Sequence, residues 1–206
     1  MRTIAFAGVL LLTVGGTACS SPQDTARREL GRTLEERAQA REEAEKHVRS
    51  GLRARDDGRN ERASEWFRSA VESDDRLGEA WLALGVTEME LERLPEAAAA
   101  LEAASALMPG NPEPAYNLGV IYERLLLYPA AIEAYERALA LSDNDLHTME
   151  NLARAYIRHG SQPERALELV LASLERERRE NWTVWLELQA ELLRGRVDEG
   201  GARAGR

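Results

Sequence analysis

The chain has 206 residues, a formal net charge of −9 at pH 7, and 44% hydrophobic but only 5% aromatic residues. This acidity argues against a nucleic-acid partner, because affinity for nucleic acid depends on neutralising phosphates with Lys and Arg. A single cysteine, Cys19, excludes an internal disulfide and a multi-cysteine metal site, and the length fits one ordinary domain or a short stack of repeats.

Residues 1–18 have the pattern of a bacterial-type export signal. A short positive start at Met1-Arg2 precedes an apolar run over residues 4–14, and small residues follow up to Ala18. The apolar run is shorter than the ~20 residues that a helix needs to span a bilayer. We therefore expect residues 1–18 to be a removable signal peptide.

The residues around Cys19 resemble a lipobox, the motif at which the signal is cut before a cysteine that then carries lipid. The motif here is Thr17-Ala18-Cys19-Ser20. The resemblance implies a lipid on Cys19 as the membrane attachment and, with Ser20 after the cysteine, an outer-membrane lipoprotein that faces the periplasm. The alternatives are an ordinary secretory signal with an incidental cysteine, or an uncleaved anchor.

Residues 19–43 are predicted to form a polar tether followed by a charged helix. Helix propensity is high over residues 24–46, and opposite charges stand three and four residues apart. Leu30 and Leu34 are not continued at heptad spacing, which argues against a coiled coil. The segment is interpreted either as a charged stalk or as a helix that caps the first repeat.

The central part of the chain repeats itself with a period of 34 residues. Leu84-Gly85 recurs as Leu118-Gly119, and the same spacing relates further pairs: Pro95 and Pro129, Ala97 and Ala131, Ala104 and Ala138. This period, with small and large apolar residues in fixed positions, resembles the tetratricopeptide repeat. The resemblance implies antiparallel helix pairs in which each pair covers the open apolar face of its neighbour.

The predicted fold is all-α, a right-handed α-solenoid of about four repeats. The repeats are placed at 44–77, 78–111, 112–145 and 146–180, with a capping helix at 181–195 that Gly195 ends and a disordered tail at 196–206. After Pro163 the register has two solutions. Ala166, Val170 and Ser173 fit with one residue inserted, and Leu169 and Ala172 fit with none.

No catalytic, metal-binding or cofactor-binding pattern is recognised in the sequence. His47, His147 and His159 have no ligand-like spacing, and there is no Gly-rich phosphate loop and no nucleophile elbow. The chain is therefore predicted not to be an enzyme and to need no cofactor, and an enzyme with an unrecognised site is the remote alternative.

The family resemblance implies which residues line the groove formed by the first helices of the repeats. These positions hold Val48, Leu52, Leu82, Val86, Met89, Tyr116, Asn117, Val120, Asn151, Arg154 and Arg158. The lining is thus apolar in the first two repeats and becomes polar and basic in the last two.

The polar positions allow two interpretations each. Asn117 and Asn151 are 34 residues apart, and their amides can bind the backbone of an extended peptide, or they can serve the repeat structurally. Arg154 and Arg158 can receive an acidic group or can balance Glu150 on the same helix face.

These observations predict an adaptor rather than a catalyst. It would hold a peptide or protein segment in its groove and assemble or localise an envelope complex, such as pilus, secretion or cell-wall machinery. The second hypothesis is a homodimer formed through the C-terminal helix, which carries Trp182 and Trp185.

Overall fold

A computed structural model describes residues 22–142, 145–177 and 179–204. Over these ranges the chain is all-α, which confirms the predicted fold class. The helices there are α1 (Pro22–Asp56), α2 (Asn60–Ser73), α3 (Gly78–Glu90), α4 (Leu94–Leu107), α5 (Glu113–Arg124), α6 (Tyr128–Leu141), α7 (Leu146–His159), α8 (Pro163–Leu174) and α9 (Glu180–Ala204). The predicted signal peptide and Cys19 lie outside the described residues.

The chain divides into two compact units, residues 1–38 and 39–206. In the first unit, side chains over residues 33–38 are exposed along α1. The second unit contains the helix pairs, and each helix from α2 to α9 contacts the next. The first helices of successive pairs also meet, because α5 contacts both α3 and α7. These first helices therefore lie side by side along one face of the unit.

Small residues let the helices of each pair approach closely. A Cβ built on Gly85 would lie 2.6 Å from Leu101 Cγ, and one on Gly119 would lie 2.4 Å from the ring of Tyr135. In α1, a Cβ on Gly51 would meet the ring of Phe67 at 2.5 Å. The 34-residue period of glycine thus follows from the packing of each first helix on its second helix.

Polar contacts of fixed spacing join neighbouring pairs. Tyr122 on α5 donates to Glu102 on α4 at 3.0 Å, and Tyr156 on α7 donates in the same way to Glu136 on α6. Between α2 and α3 the roles are reversed, since the carboxylate belongs to Glu88 and Arg68 donates to it at 2.5 Å. Each contact spans 20 residues, so the same repeat position of α3, α5 and α7 makes a contact to the preceding pair.

Proline, aspartate and glycine residues mark several of the helix starts and turns. Pro95, Pro129 and Pro163 stand in the first turn of α4, α6 and α8, where a missing N–H costs nothing. Asp145 caps α7 by accepting from the Thr148 backbone N–H at 2.8 Å. Gly58 takes the left-handed backbone, with φ 72°, in the turn between α1 and α2.

The two solutions for the register after Pro163 are resolved by burial. Ala166, Val170 and Ser173 all have 0% exposure. In the other register Leu169 is buried as well, at 3%, but Ala172 is only half-buried. One residue is therefore inserted in the fourth repeat. The turn that contains the inserted residue ends with Gln162 in the left-handed region, at φ 47°.

Two predicted boundaries are wrong. The charged helix and the first helix of the first repeat are one helix, α1, which continues without a break where the sequence places a boundary at 43/44. Helix α9 continues through Gly195 to Ala204, so the predicted helix end and most of the predicted disordered tail are replaced by helix. At the second of these places a single glycine, Gly195, costs about 1 kcal/mol in a helix and does not stop it.

None of the helices in the described ranges combines the length and the apolar character that crossing a bilayer requires.

Candidate functional site

The predicted groove residues lie on the first helices of four successive pairs. α1 carries Val48 and Leu52, and α3 carries Leu82, Val86 and Met89. α5 carries Tyr116, Asn117 and Val120, and α7 carries Asn151, Arg154 and Arg158. Because α3, α5 and α7 lie side by side, residues of the last three helices share one surface of the unit.

At the apolar end, several of these residues take part in packing. Val48 packs on the core formed by α1, α2, α3 and α4, and Leu82 and Met89 pack on a second core around Leu101 and Leu118. Leu52 is 37% exposed. The apolar lining is therefore continuous with the core and leaves only part of each side chain accessible.

At the polar end, Arg154 is held by a network that joins α5 to α7. Its Nε and Nη2 donate to the two Glu123 carboxylate oxygens at 2.6 and 2.9 Å, and Nη2 also donates to Asn151 Oδ1 at 2.9 Å. Asn151 Nδ2 in turn donates to the Tyr116 hydroxyl at 3.1 Å. The hydrogen bond with Glu123 raises the pKa of Arg154 above its ordinary value. This arrangement fixes both Asn151 and Arg154 in position.

Glu123 is the residue of this network that the sequence did not single out. It also accepts from the Tyr135 hydroxyl at 3.2 Å, and burial is the main cause that raises the pKa of Tyr135. Glu123 is the twelfth residue of its repeat, the position of Met89 in the repeat before, so the family position was available as a signal.

Glu150 is balanced by neither Arg154 nor Arg158. Its buried carboxylate accepts from Arg179 Nη2 at 2.8 Å, and Arg179 also pairs with Glu177. Burial first, and then a hydrogen bond with Glu177, raise the pKa of the Glu150 carboxyl. The interpretation that the two groove arginines offset Glu150 is therefore wrong.

Asn117 and Asn151 differ in whether their side-chain amides are already used in hydrogen bonds within the protein. Asn151 uses its oxygen and one amide hydrogen in the network with Arg154 and Tyr116. Asn117 is 8% exposed, and its side-chain amide makes no hydrogen bond to any residue that the structure describes. An amide with both a free donor and a free acceptor is suited to a peptide backbone group.

Two cavities open on either side of α7. One, of about 410 Å³, lies between α5 and α7 and reaches the α5–α6 turn. The other, of about 500 Å³, lies between α7 and α9. Leu126 and Tyr128 line the first, and Trp182, Trp185 and Gln189 line the second. The sequence placed both tryptophans on a capping helix and did not predict that they line the groove.

The stacked helix pairs and the lined groove place the chain among α-solenoid repeat proteins. A family model for the tetratricopeptide repeat matches residues 48–112 and 82–145. The predicted resemblance to the tetratricopeptide repeat (TPR) is thus confirmed over residues 48–145.

Individual proteins are similar in sequence or in fold. "Tetratricopeptide repeat-containing protein trd-1" of Caenorhabditis elegans is 31% identical over 100 residues, which are 48% of this chain and only 13% of that protein. The solved structure of MamA 41-end from Desulfovibrio magneticus RS-1 is similar with a TM-score of 0.66 and 17% identity, over 79% of this chain and 90% of that one. YrrB, described as a TPR protein with an unusual peptide-binding site, has a TM-score of 0.65 and 19% identity, over 74% and 76%.

Proposed function

We propose that the protein is a non-enzymatic adaptor that holds a peptide or protein segment along its first-helix groove. The observation that carries this proposal is the Asn117 side chain, which has no hydrogen bond to any described residue and belongs to α5, a helix that borders one of the cavities. A solenoid presents its first-helix face as an extended concave binding surface. The fold similarity to YrrB, whose description names a peptide-binding site, supports the same use of the groove.

The proposed location in the cell rests on residues 1–20, which the structure does not describe. The lipobox-like motif supports a lipid on Cys19, which would hold an acidic body at a membrane whose anionic lipids repel it. On this proposal the protein is an outer-membrane lipoprotein in the periplasm that assembles or localises an envelope complex. Mass spectrometry of the mature N-terminus tests this: an unmodified N-terminus at any other residue would contradict it.

The groove proposal is tested by crosslinked capture from the native envelope with the Asn117→Ala variant. We expect this variant to lose most of the captured partner, because the amide is removed while no hydrogen bond among the described residues is broken. Asn151→Ala is unsuitable, since it also disrupts the Arg154 network. The control is Glu133→Ala, at an exposed position on the second helix α6. Capture that is equal for the wild type and both variants would exclude the groove as the binding site.

A second function, self-association, is favoured by one feature of α9. Val184, Leu188 and Leu192 stand four residues apart on one face and are 60%, 56% and 54% exposed. A helix face of this kind is a common element of helix–helix interfaces. Sedimentation velocity of the wild type at micromolar concentration checks this alternative, and a strict monomer removes it.

A further inference from the structure

Two residues of α7, Arg154 and Arg158, line both groove cavities. The cavity toward α5 is completed by the apolar and aromatic groups of Val120, Leu126 and Tyr128 and by the charged side chains of Glu123 and Arg124. The cavity toward α9 is completed by Trp182 and Trp185. Two partly apolar cavities thus flank one pair of guanidinium groups.

The two guanidinium groups differ in charge compensation. Arg154 is neutralised by Glu123, which accepts two hydrogen bonds from it. Arg158 is exposed, and no carboxylate within the described residues pairs with it. In a chain with a net charge of −9, an uncompensated cation between two cavities is a specific place for an anionic group.

The rim of the first cavity has a further unusual feature. Leu126 lies in the left-handed region, with φ 60°, at the turn position that Gly58 and Glu92 occupy in earlier repeats. Its side chain is 68% exposed. A leucine at this backbone conformation costs free energy and presents an apolar side chain to solvent, which points to a contact surface rather than to a role in folding.

We propose that the groove recognises an internal acidic residue, Asp or Glu, that has apolar side chains on both sides of it in the partner segment. The carboxylate would bind Arg158, and the flanking side chains would occupy the cavities toward Leu126 and toward Trp185. This inference rests on the proposed groove function and names the class of segment that the groove accepts.

The carboxylate belongs to a side chain and not to a chain terminus for a geometric reason. Arg158 lies between two cavities, so a segment that fills both must continue on either side of the anionic group. A C-terminal carboxylate has chain on one side only and would leave one cavity empty. The partner segment is also expected to carry few acidic residues in total, because a strongly acidic segment would be repelled by the negative charge of this chain.

The test uses fluorescein-labelled nonapeptides and fluorescence anisotropy with the full chain. The reference peptide is Gly-Ser-Leu-Ser-Glu-Ser-Leu-Ser-Gly with an amidated C-terminus. A second peptide has Gln in place of Glu, and a third has Ser in place of both Leu residues. A fourth has the central Gln and a free C-terminal carboxylate. The protein variants are Arg158→Gln and, as a matched control, Arg137→Gln, an exposed arginine on α6 that also has no ion pair among the described residues.

We expect the reference peptide to bind about tenfold more tightly than the Gln peptide, the effect of one charge-assisted hydrogen bond. Arg158→Gln should remove this difference, and Arg137→Gln should preserve it. The Ser peptide should also bind more weakly, because both cavities lose their apolar occupant.

Equal affinity of the Glu and Gln peptides overturns the proposal, as does an equal effect of the two arginine variants, which would indicate unspecific electrostatics. Tightest binding by the fourth peptide would assign the site to a chain terminus instead, and absence of binding by all four also overturns it. None of these results contradicts the groove function, which is tested separately by the loss of partner capture in Asn117→Ala.

Discussion

At the level of single residues, Ser173 places a hydroxyl at a buried position where earlier repeats have alanine. Once the inserted residue is counted, it occupies the position of Ala104 and Ala138. It is fully buried, and its hydroxyl has no hydrogen-bond partner within the described ranges. Because burying an unpaired hydroxyl costs free energy, Ser173→Ala should raise the free energy of unfolding by about 1 kcal/mol. Urea denaturation followed by circular dichroism measures this change.

A second buried serine provides the control for Ser173→Ala. Ser64 has 1% exposure, but its hydroxyl donates to the buried Glu88 carboxylate at 2.6 Å. Ser64→Ala should therefore lower the free energy of unfolding, by about 1–2 kcal/mol, since a charged acceptor loses a donor. A Ser173→Ala variant that is less stable than the wild type would show that its hydroxyl is satisfied in solution.

The polar end of the groove shows what sequence reasoning at the residue level cannot supply. The family positions identified Asn151, Arg154 and Arg158, and the structure places all three on α7. The partner of Arg154 was missed, because Glu123 is 31 residues earlier in the chain and becomes a neighbour only when two repeats stack. Glu150, which is closer in sequence, instead pairs with Arg179. Pairing of charges across repeats depends on side-chain directions that the repeat pattern does not contain.

At the level of elements, α9 has one buried and one exposed apolar side. Leu186, Ala190 and Leu193 are at most 2% exposed, whereas Leu192 is 54% exposed. Truncating a buried leucine removes its transfer free energy and leaves a cavity, which costs about 2–5 kcal/mol. Leu193→Ala should thus lower the free energy of unfolding by at least about 2 kcal/mol, measured by urea denaturation.

The adjacent residue is the matched control for this element. Leu192→Ala removes the same atoms one position earlier in α9, and surface substitutions usually change stability by less than about 0.5 kcal/mol. Equal losses in the two variants would mean that both faces of α9 are covered in solution, which would in turn favour the homodimer.

Helix boundaries were the least predictable feature of the elements, and α1 and α9 show why. A glycine, or a change from charged to apolar composition, marks where a helix tends to end, but neither removes a backbone hydrogen bond. A Cβ built on Gly31 or on Gly195 would meet no atom within 4 Å, so packing does not require a glycine at either position. The turns between paired helices were predictable because left-handed residues, such as Gly58, or first-turn prolines must stand there.

At the level of the whole molecule, a change in the stability of one helix pair is expected to affect mainly the adjacent pairs. One core joins residues of α6, α7, α8 and α9, and another joins residues of α1, α2, α3 and α4. In a solenoid each repeat contacts only its neighbours, so a change at one end need not reach the other. The free energy of local opening then differs along the chain.

Hydrogen exchange with mass spectrometry of Leu193→Ala measures how far a change at the C-terminal end extends. Because Leu193 belongs to the core that includes Leu152 and Val170, amide protection should fall in the peptides of α7 and α8. Protection in α2 and α3 should match the wild type, since their core around Phe67 contains no residue of α9. Equal loss of protection over α2 to α8 would contradict nearest-neighbour behaviour and show that residues 39–204 unfold as one cooperative unit. Groove binding at α7 would then depend on the stability of every repeat rather than on the repeats that line the cavities.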